Sequence, residues 1–188
     1  ARKANPTDDM ISQAQMLEID GRRCADEEIF GFCFNLYLGG LDTVTSNISL
    51  HFHHLATHSE DQRRMRGHTP EQNVVAIEEL LRAYGATSTL RFCIKETELA
   101  GQKIMPGDAL IMSTPLAGRD PEAFDSPQEV RLDRRPIHLT LGGGFRRCLG
   151  QHLVRRELQT AIEEFVKAIP EFRVAPGYRT GFFLSNRS

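Results

Sequence analysis

No run of about eighteen apolar residues occurs anywhere in the 188 residues, so no segment reads as a membrane-spanning helix. Excess charge of one sign is also missing. The net charge of −2 gives no overall attraction to nucleic acid or to an anionic membrane. Cysteines are few: Cys24, Cys33, Cys93 and Cys148 form no C-x-x-C pair and no regular framework, which argues against structural zinc and a disulfide scaffold. The opening ARKANPTDD is polar and shows no signal peptide; it also lacks an initiating Met, as expected if upstream residues are missing. Repeats and low-complexity tracts are absent. With 40% apolar and 26% charged residues, the composition is that of an ordinary soluble domain with a real core, and a cytoplasmic location with reduced thiols is expected.

What is present is helix-rich. A short helical pattern covers Met10–Leu17, and Asp20-Gly21 marks a turn. A proline-free stretch from about Asp26 to His58 opens with Asp26, Glu27 and Glu28, which suit the positive end of a helix dipole. Its middle, IFGFCFNLYLGGLDTV, is apolar almost all round and predicts a buried helix. Gly39-Gly40 stands out there, at about 1 kcal/mol per glycine relative to alanine. It fits either close packing against a neighbouring helix or a helix deformed so that a ligand can reach its backbone. A second helix is expected over 71–84 with Val74, Val75, Ile77, Leu80 and Leu81 apolar. Short strands are expected over 89–112, where Leu90, Phe92 and Ile94 alternate with Arg91, Cys93 and Lys95, and Pro106-Gly107 marks a tight turn. Residues 113–147 have no sustained period, and a loop of that length is usually functional. A last helix is expected at 149–168 with Leu153, Leu158, Ile162 and Phe165 in step.

The chemistry concentrates in Leu141-Gly-Gly-Gly-Phe-Arg-Arg-Cys148-Leu-Gly150. Glycines let backbone pass close to something flat. Cys148 sits at a helix start with Arg146 and Arg147 beside it, and both features favour a thiolate, which can act as nucleophile or metal ligand. A merely buried cysteine would leave the glycines and arginines without a reason. Other clusters are weaker. His51, His54 and His58 share a helix face but lack a companion ligand set, so they read as a polar face. Cys148 and His152 lie four apart, yet the flanking arginines disfavour a dication. Phe182-Phe183 fits a pocket lining or core packing equally.

The span Gly142–Gly150, G-x-G-x-R-x-C-x-G, resembles the haem loop of the cytochrome P450 monooxygenases. Glu79-Leu-Leu-Arg82 is similar to that family's E-x-x-R, Gly39-Gly40-Leu-Asp42-Thr43 to its oxygen-activation motif, and RDPEAFDSP to its meander. The likeness extends over essentially the whole chain and is nearest to soluble bacterial members, including the terpene-hydroxylating branch. It implies a mainly α fold with a small β region, the C-terminal part of the family's helical prism, so that residues 1–188 form one partial domain, the haem-binding half of a monooxygenase. The implied cofactor is haem b (iron protoporphyrin IX), with Cys148 as the iron's sulfur ligand. Gly39, Gly40, Thr43, Leu141, Gly142 and Gly150 would line the haem, and Arg91 and Arg146 would pair with its propionates. Thr43 and Asp42 would be the catalytic pair, Thr43 holding water or dioxygen and Asp42 relaying protons. Glu79 and Arg82, joined by Arg134, would be structural. The implied reaction inserts one oxygen atom from O2 into a small apolar substrate. Electrons would come from a ferredoxin-type donor with an NAD(P)H-dependent reductase, docked on Arg147, Arg155 and Arg156; neither nucleic acid nor membrane would be a partner. The alternative is a non-catalytic haem-binding fragment. Three departures stand out: Leu141 replaces the aromatic residue usual at the loop start, the stretch from Arg134 to Leu141 is about one residue short, and family members are about twice this length.

Overall fold

The computed structural model describes residues 3–181, which fall into two compact units divided after Thr45. The first unit contains helix α1 (Met10–Ala14), the two-residue strands β1 (Glu18–Ile19) and β2 (Arg22–Arg23), and the first part of helix α2 (Asp26–Thr57). Asp9 caps α1 by accepting from the Ser12 amide. Asp20 (φ 52°) and Gly21 (φ 74°) are both left-handed, the backbone that a two-residue hairpin requires, and they join β1 to β2. The expected turn is therefore a complete hairpin.

Helix α2 runs unbroken as α-helix through Gly39-Gly40, without the deformation that the glycines suggested. Added Cβ atoms at Gly39 and Gly40 would meet nothing within 4 Å outside the helix's own backbone, so close packing against another described helix is not their reason either. The expectation that this stretch is buried is also overturned. Phe30 (71%) and Tyr37 (68%) are exposed, as are Phe34, Leu38 and Leu41. Apolar side chains all round a helix need cover on every side, and the described residues cover these faces only in part.

The second unit holds the end of α2, helix α3 (Ser59–Gly67), helix α4 (Pro70–Ala83), strands β3 (Ser88–Phe92), β4 (Thr97–Leu99), β5 (Gln102–Ile104) and β6 (Ala109–Ser113), the short helix α5 (Thr114–Ala117) and helix α6 (Gln151–Ala168). Thr69 and Gln72 cap α4 reciprocally, with Pro70 in the first turn, so it starts where its sequence stops competing for backbone donors. Ile77, Leu80 and Leu81 of α4 are buried with Val154, Leu158, Ile162 and Val166 of α6. Leu153, expected in that stripe, is exposed. Phe52, Phe165 and Phe172 meet edge to face at 4.6–6.1 Å. Antiparallel β3 and β6 pair Ser88 with Ser113 through Phe92 with Ala109, and β4 pairs β5; no larger sheet forms among the described residues.

A polar node lies inside this core. Arg82 and Glu79 are fully buried and paired at 2.7 and 2.8 Å. The remaining Arg82 N–H groups donate to the carbonyls of Gly118, Pro127 and Glu129. Arg134 stands 3.5 Å from Glu79, the third member that the resemblance implies. Gly118 packs so closely that a Cβ there would lie 2.1 Å from the Arg82 carbonyl oxygen.

The histidines do not form the expected polar face, because His51 and His54 are buried. His54 Nε2 donates to Asp61 (2.9 Å), which leaves Nδ1 to accept from the Tyr84 hydroxyl (2.8 Å). The ring stacks on His58 at 4.1 Å. His51 has no such partners: burial, reinforced by His54 and opposed only by the Leu80 carbonyl, pushes it down to about 3. Its folded pKa thus lies below the ordinary value near 6.5, and the unfolded chain binds the extra proton between these values. Stability should therefore fall with pH from about 6.5 toward 3, by up to roughly 1.4 kcal/mol per pH unit. His51→Leu should flatten this loss, as read from urea unfolding at neutral and mildly acidic pH. An unchanged pH slope in the variant would remove His51 as its source.

Candidate functional site

Residues 138–151 connect the irregular segment to α6 and form a tight, self-closed loop. The Gly142 amide donates to the Leu139 carbonyl at 2.8 Å, and the Cys148 amide closes the loop on the Leu141 carbonyl at 2.8 Å. Gly142 is left-handed (φ 73°), and a Cβ on it would sit 3.0 Å from the Arg146 carbonyl oxygen, so conformation and space both require glycine. Gly144 is also left-handed (φ 58°) and opens a single 3-10 turn, Gly144–Arg146. Cys148 follows as an exposed free thiol. Helix α6 begins three residues later, behind Gly150, with no side-chain cap and no acid in its first turn, which leaves the positive end of its dipole open to an anion.

Several apolar side chains of this segment are uncovered: Phe145 is 96% and Leu149 76% exposed, and Leu139 and Leu153 are exposed too. Leu141 is half-buried. Arg146 lies over the Phe145 ring, 5.5 Å from its centre. Arg91, on β3 opposite Leu110, is exposed and donates to its neighbour's carbonyl, Leu90 O, at 2.7 Å. A soft sulfur donor, exposed apolar side chains and two exposed guanidinium groups match in kind a flat apolar macrocycle that carries a metal and carboxylates.

Arg155, expected on a docking surface, is engaged within the chain. It donates to Glu78 of α4 at 2.6 and 3.1 Å and to the Gln151 carbonyl and side-chain oxygens at 3.2 Å. The hydrogen bond to Glu78 raises its pKa, and the charge of Cys148 adds to that shift. Sequence reasoning named Arg146 and Arg147 as the cations beside the sulfur and missed Glu78 altogether. Glu78 also accepts from His138 Nε2 (3.1 Å). Burial raises the Glu78 carboxyl, but the His138 and Arg155 hydrogen bonds outweigh it and hold the group down at about 2. The available signal was that Glu78 precedes the recognised Glu79 and shares the α4 surface facing α6.

The other motif lies on α2 within the first unit. Thr43 donates its hydroxyl to the Gly39 carbonyl at 2.8 Å, the back-bonded arrangement of a helical threonine. Its oxygen keeps the chemistry of an acceptor. Asp42 is exposed. Among the described residues, no three His, Cys, Asp or Glu side chains are grouped to hold a metal ion. No helix among them is long and apolar enough to cross a membrane. Phe182 and Phe183 lie outside the described residues.

The family model described as Cytochrome P450 matches residues 74–177, more than half of the chain. A probable cytochrome P450 127A1 from Sinorhizobium fredii is 33% identical over 94% of this chain and 42% of its own length. A steroid C26-monooxygenase from Mycobacterium tuberculosis is 30% identical over 93% of the chain and 47% of its own. The crystal structure of CYP109E1 from Bacillus megaterium with testosterone superposes with a TM-score of 0.89 at 29% identity, covering 98% of this chain and 52% of that one. The chain thus spans about half the length of the relatives it matches.

Proposed function

Because the chain belongs to the cytochrome P450 family, whose members bind haem, we propose that it is the haem-thiolate part of a monooxygenase with Cys148 as the iron's ligand. The observation that carries this reading is the self-closed loop that leaves the Cys148 thiol free and exposed within the G-x-G-x-R-x-C-x-G pattern. Haem held there by Cys148 would supply the redox chemistry that activates dioxygen, and a thiolate ligand would favour it by donating electron density.

The chain's own residues do the rest. Leu141, half-buried at the loop start, would pack against the macrocycle and limit water at the sulfur. Arg91 and Arg146, now on a backbone carbonyl and an aromatic face, would hold the propionates, which are the better acceptors for a guanidinium fork. Gly39 and Gly40 leave open space along α2. While donating to the Gly39 carbonyl, Thr43 Oγ1 can accept a hydrogen bond from water and orient it. Asp42, exposed on the same helix, takes protons from solvent and passes them to that water. The resulting reaction puts one oxygen atom of O2 into a C–H bond of a small apolar substrate and reduces the other to water, with electrons from a ferredoxin-type donor and its NAD(P)H-dependent reductase. With Arg155 engaged by Glu78, Arg147 and Arg156 are the arginines left to meet an acidic donor.

With haem and an electron donor, Thr43→Ala should lower the product formed per NAD(P)H by about tenfold or more and divert the electrons to hydrogen peroxide. Asp42→Asn should slow turnover instead. Unchanged coupling in the threonine variant, measured as product and peroxide per NAD(P)H, would remove Thr43 from proton delivery.

A further inference from the structure

We propose that Glu78 is the positioning residue of the sulfur ligand: its single carboxylate ties both the segment entering the Cys148 loop and the helix leaving it to α4. On the entry side His138 donates Nε2–H to Glu78 at 3.1 Å, and His138 Nδ1 accepts the Thr140 amide at 3.2 Å. These two bonds together fix the orientation of the ring between Glu78 and the Thr140 amide. On the exit side Arg155 grips Glu78 through Nε and Nη2, and its Nη1 holds the Gln151 carbonyl and side-chain oxygens, while the Gln151 amide donates to the Cys148 carbonyl at 3.3 Å.

The need for such a clamp comes from the loop itself. Its backbone hydrogen bonds close it on itself, but its uncovered apolar side chains do not fasten it to the rest of the fold. Thr140 Oγ1 on the Leu81 carbonyl (2.7 Å) anchors only the entry. Glu78 joins the two ends, so the sulfur between them is referred to one rigid helix that already carries the buried Glu79–Arg82 pair. Glu78 touches neither the sulfur nor a substrate; it acts through His138 and Arg155.

The inference rests on the haem-thiolate reading, and the test separates the two. Hydrogen exchange in the full chain without haem would be followed at the Gly142, Cys148 and Gln151 amides, with Ile162 in the middle of α6 reporting global opening. His138→Ala should speed exchange about tenfold at Gly142, Arg155→Met at Gln151, and Glu78→Gln at all three, with Ile162 unchanged. After haem loading, Glu78→Gln should lower the thiolate-type share of the carbon monoxide difference spectrum at equal haem content. If the loop amides are unaffected, or Ile162 accelerates equally, Glu78 merely braces α4 against α6 and the proposal is overturned. The two single-ended variants decide the matter if Glu78→Gln fails to fold. A wild-type chain that takes up haem without a thiolate-type spectrum would refute the haem-thiolate reading while leaving the exchange result to judge the clamp.

Discussion

Cys148→Ala should abolish the thiolate-type carbon monoxide difference spectrum of the reduced, haem-loaded protein entirely, while alanine at Cys24, Cys33 or Cys93 should leave it intact. The effect is all or nothing because a methyl group cannot replace the sulfur as a ligand. The other thiols lack the setting. Cys93 is half-buried and directs its S–H at the Lys95 carbonyl at 2.9 Å, Cys33 lies within α2, and Cys24 follows the first hairpin. Cys148 alone among the four sits in a glycine loop beside an uncapped helix start with Arg155 close by. A thiolate-type spectrum that survives in Cys148→Ala and disappears in Cys93→Ala or Cys33→Ala would overturn the assignment.

The second large effect is structural. Arg82→Lys should destabilise the chain nearly as much as Arg82→Ala, by about 3–5 kcal/mol, a large part of the 5–15 kcal/mol that holds a typical domain together. The arginine's five N–H donors meet five acceptors: both Glu79 oxygens and the carbonyls of Gly118, Pro127 and Glu129. Lysine brings three donors on a point charge and cannot reproduce that fork. Either variant leaves the Glu79 carboxylate, fully buried and also bonded by the Arg131 amide at 2.9 Å, short of its partner. Replacing Glu79, Arg82 and Arg134 together with apolar residues of similar volume should cost less than the single change, because no buried charge is then stranded. Urea unfolding of the three variants measures this, and Arg82→Lys within about 0.5 kcal/mol of wild type would contradict it.

The parts of the fold that could be read in advance are those with a local pattern. Helix α4 carries Ile77, Leu80 and Leu81 in step behind a capping box, and α6 likewise shows its buried stripe. Helix α3 has no such pattern. Its nine residues, SEDQRRMRG, bury only Gln62 and Met65, and it is held by Gln62 bonding the carbonyls of Leu55 and Phe172. The length of α2 was legible but the state of its faces was not, since periodicity reports where apolar groups lie and not what covers them. At the site, the loop around Cys148 was legible through its glycines and through family likeness. Glu78 was not, because its partners His138 and Arg155 stand 60 and 77 residues away and no local rule pairs them. The pairing of Arg155 with Glu78 was illegible for the same reason.

Gly118 has a consequence at the level of the gene. Its backbone torsion (φ −69°) is open to any residue, and no motif contains it. Yet a Cβ at this position would stand 2.1 Å from a carbonyl oxygen of α4, where backbone and not a flexible side chain blocks the way. Every single-base change that replaces a glycine by another residue adds a Cβ. This codon should therefore tolerate only synonymous drift, leaving an inherited mark at a residue that performs no chemistry.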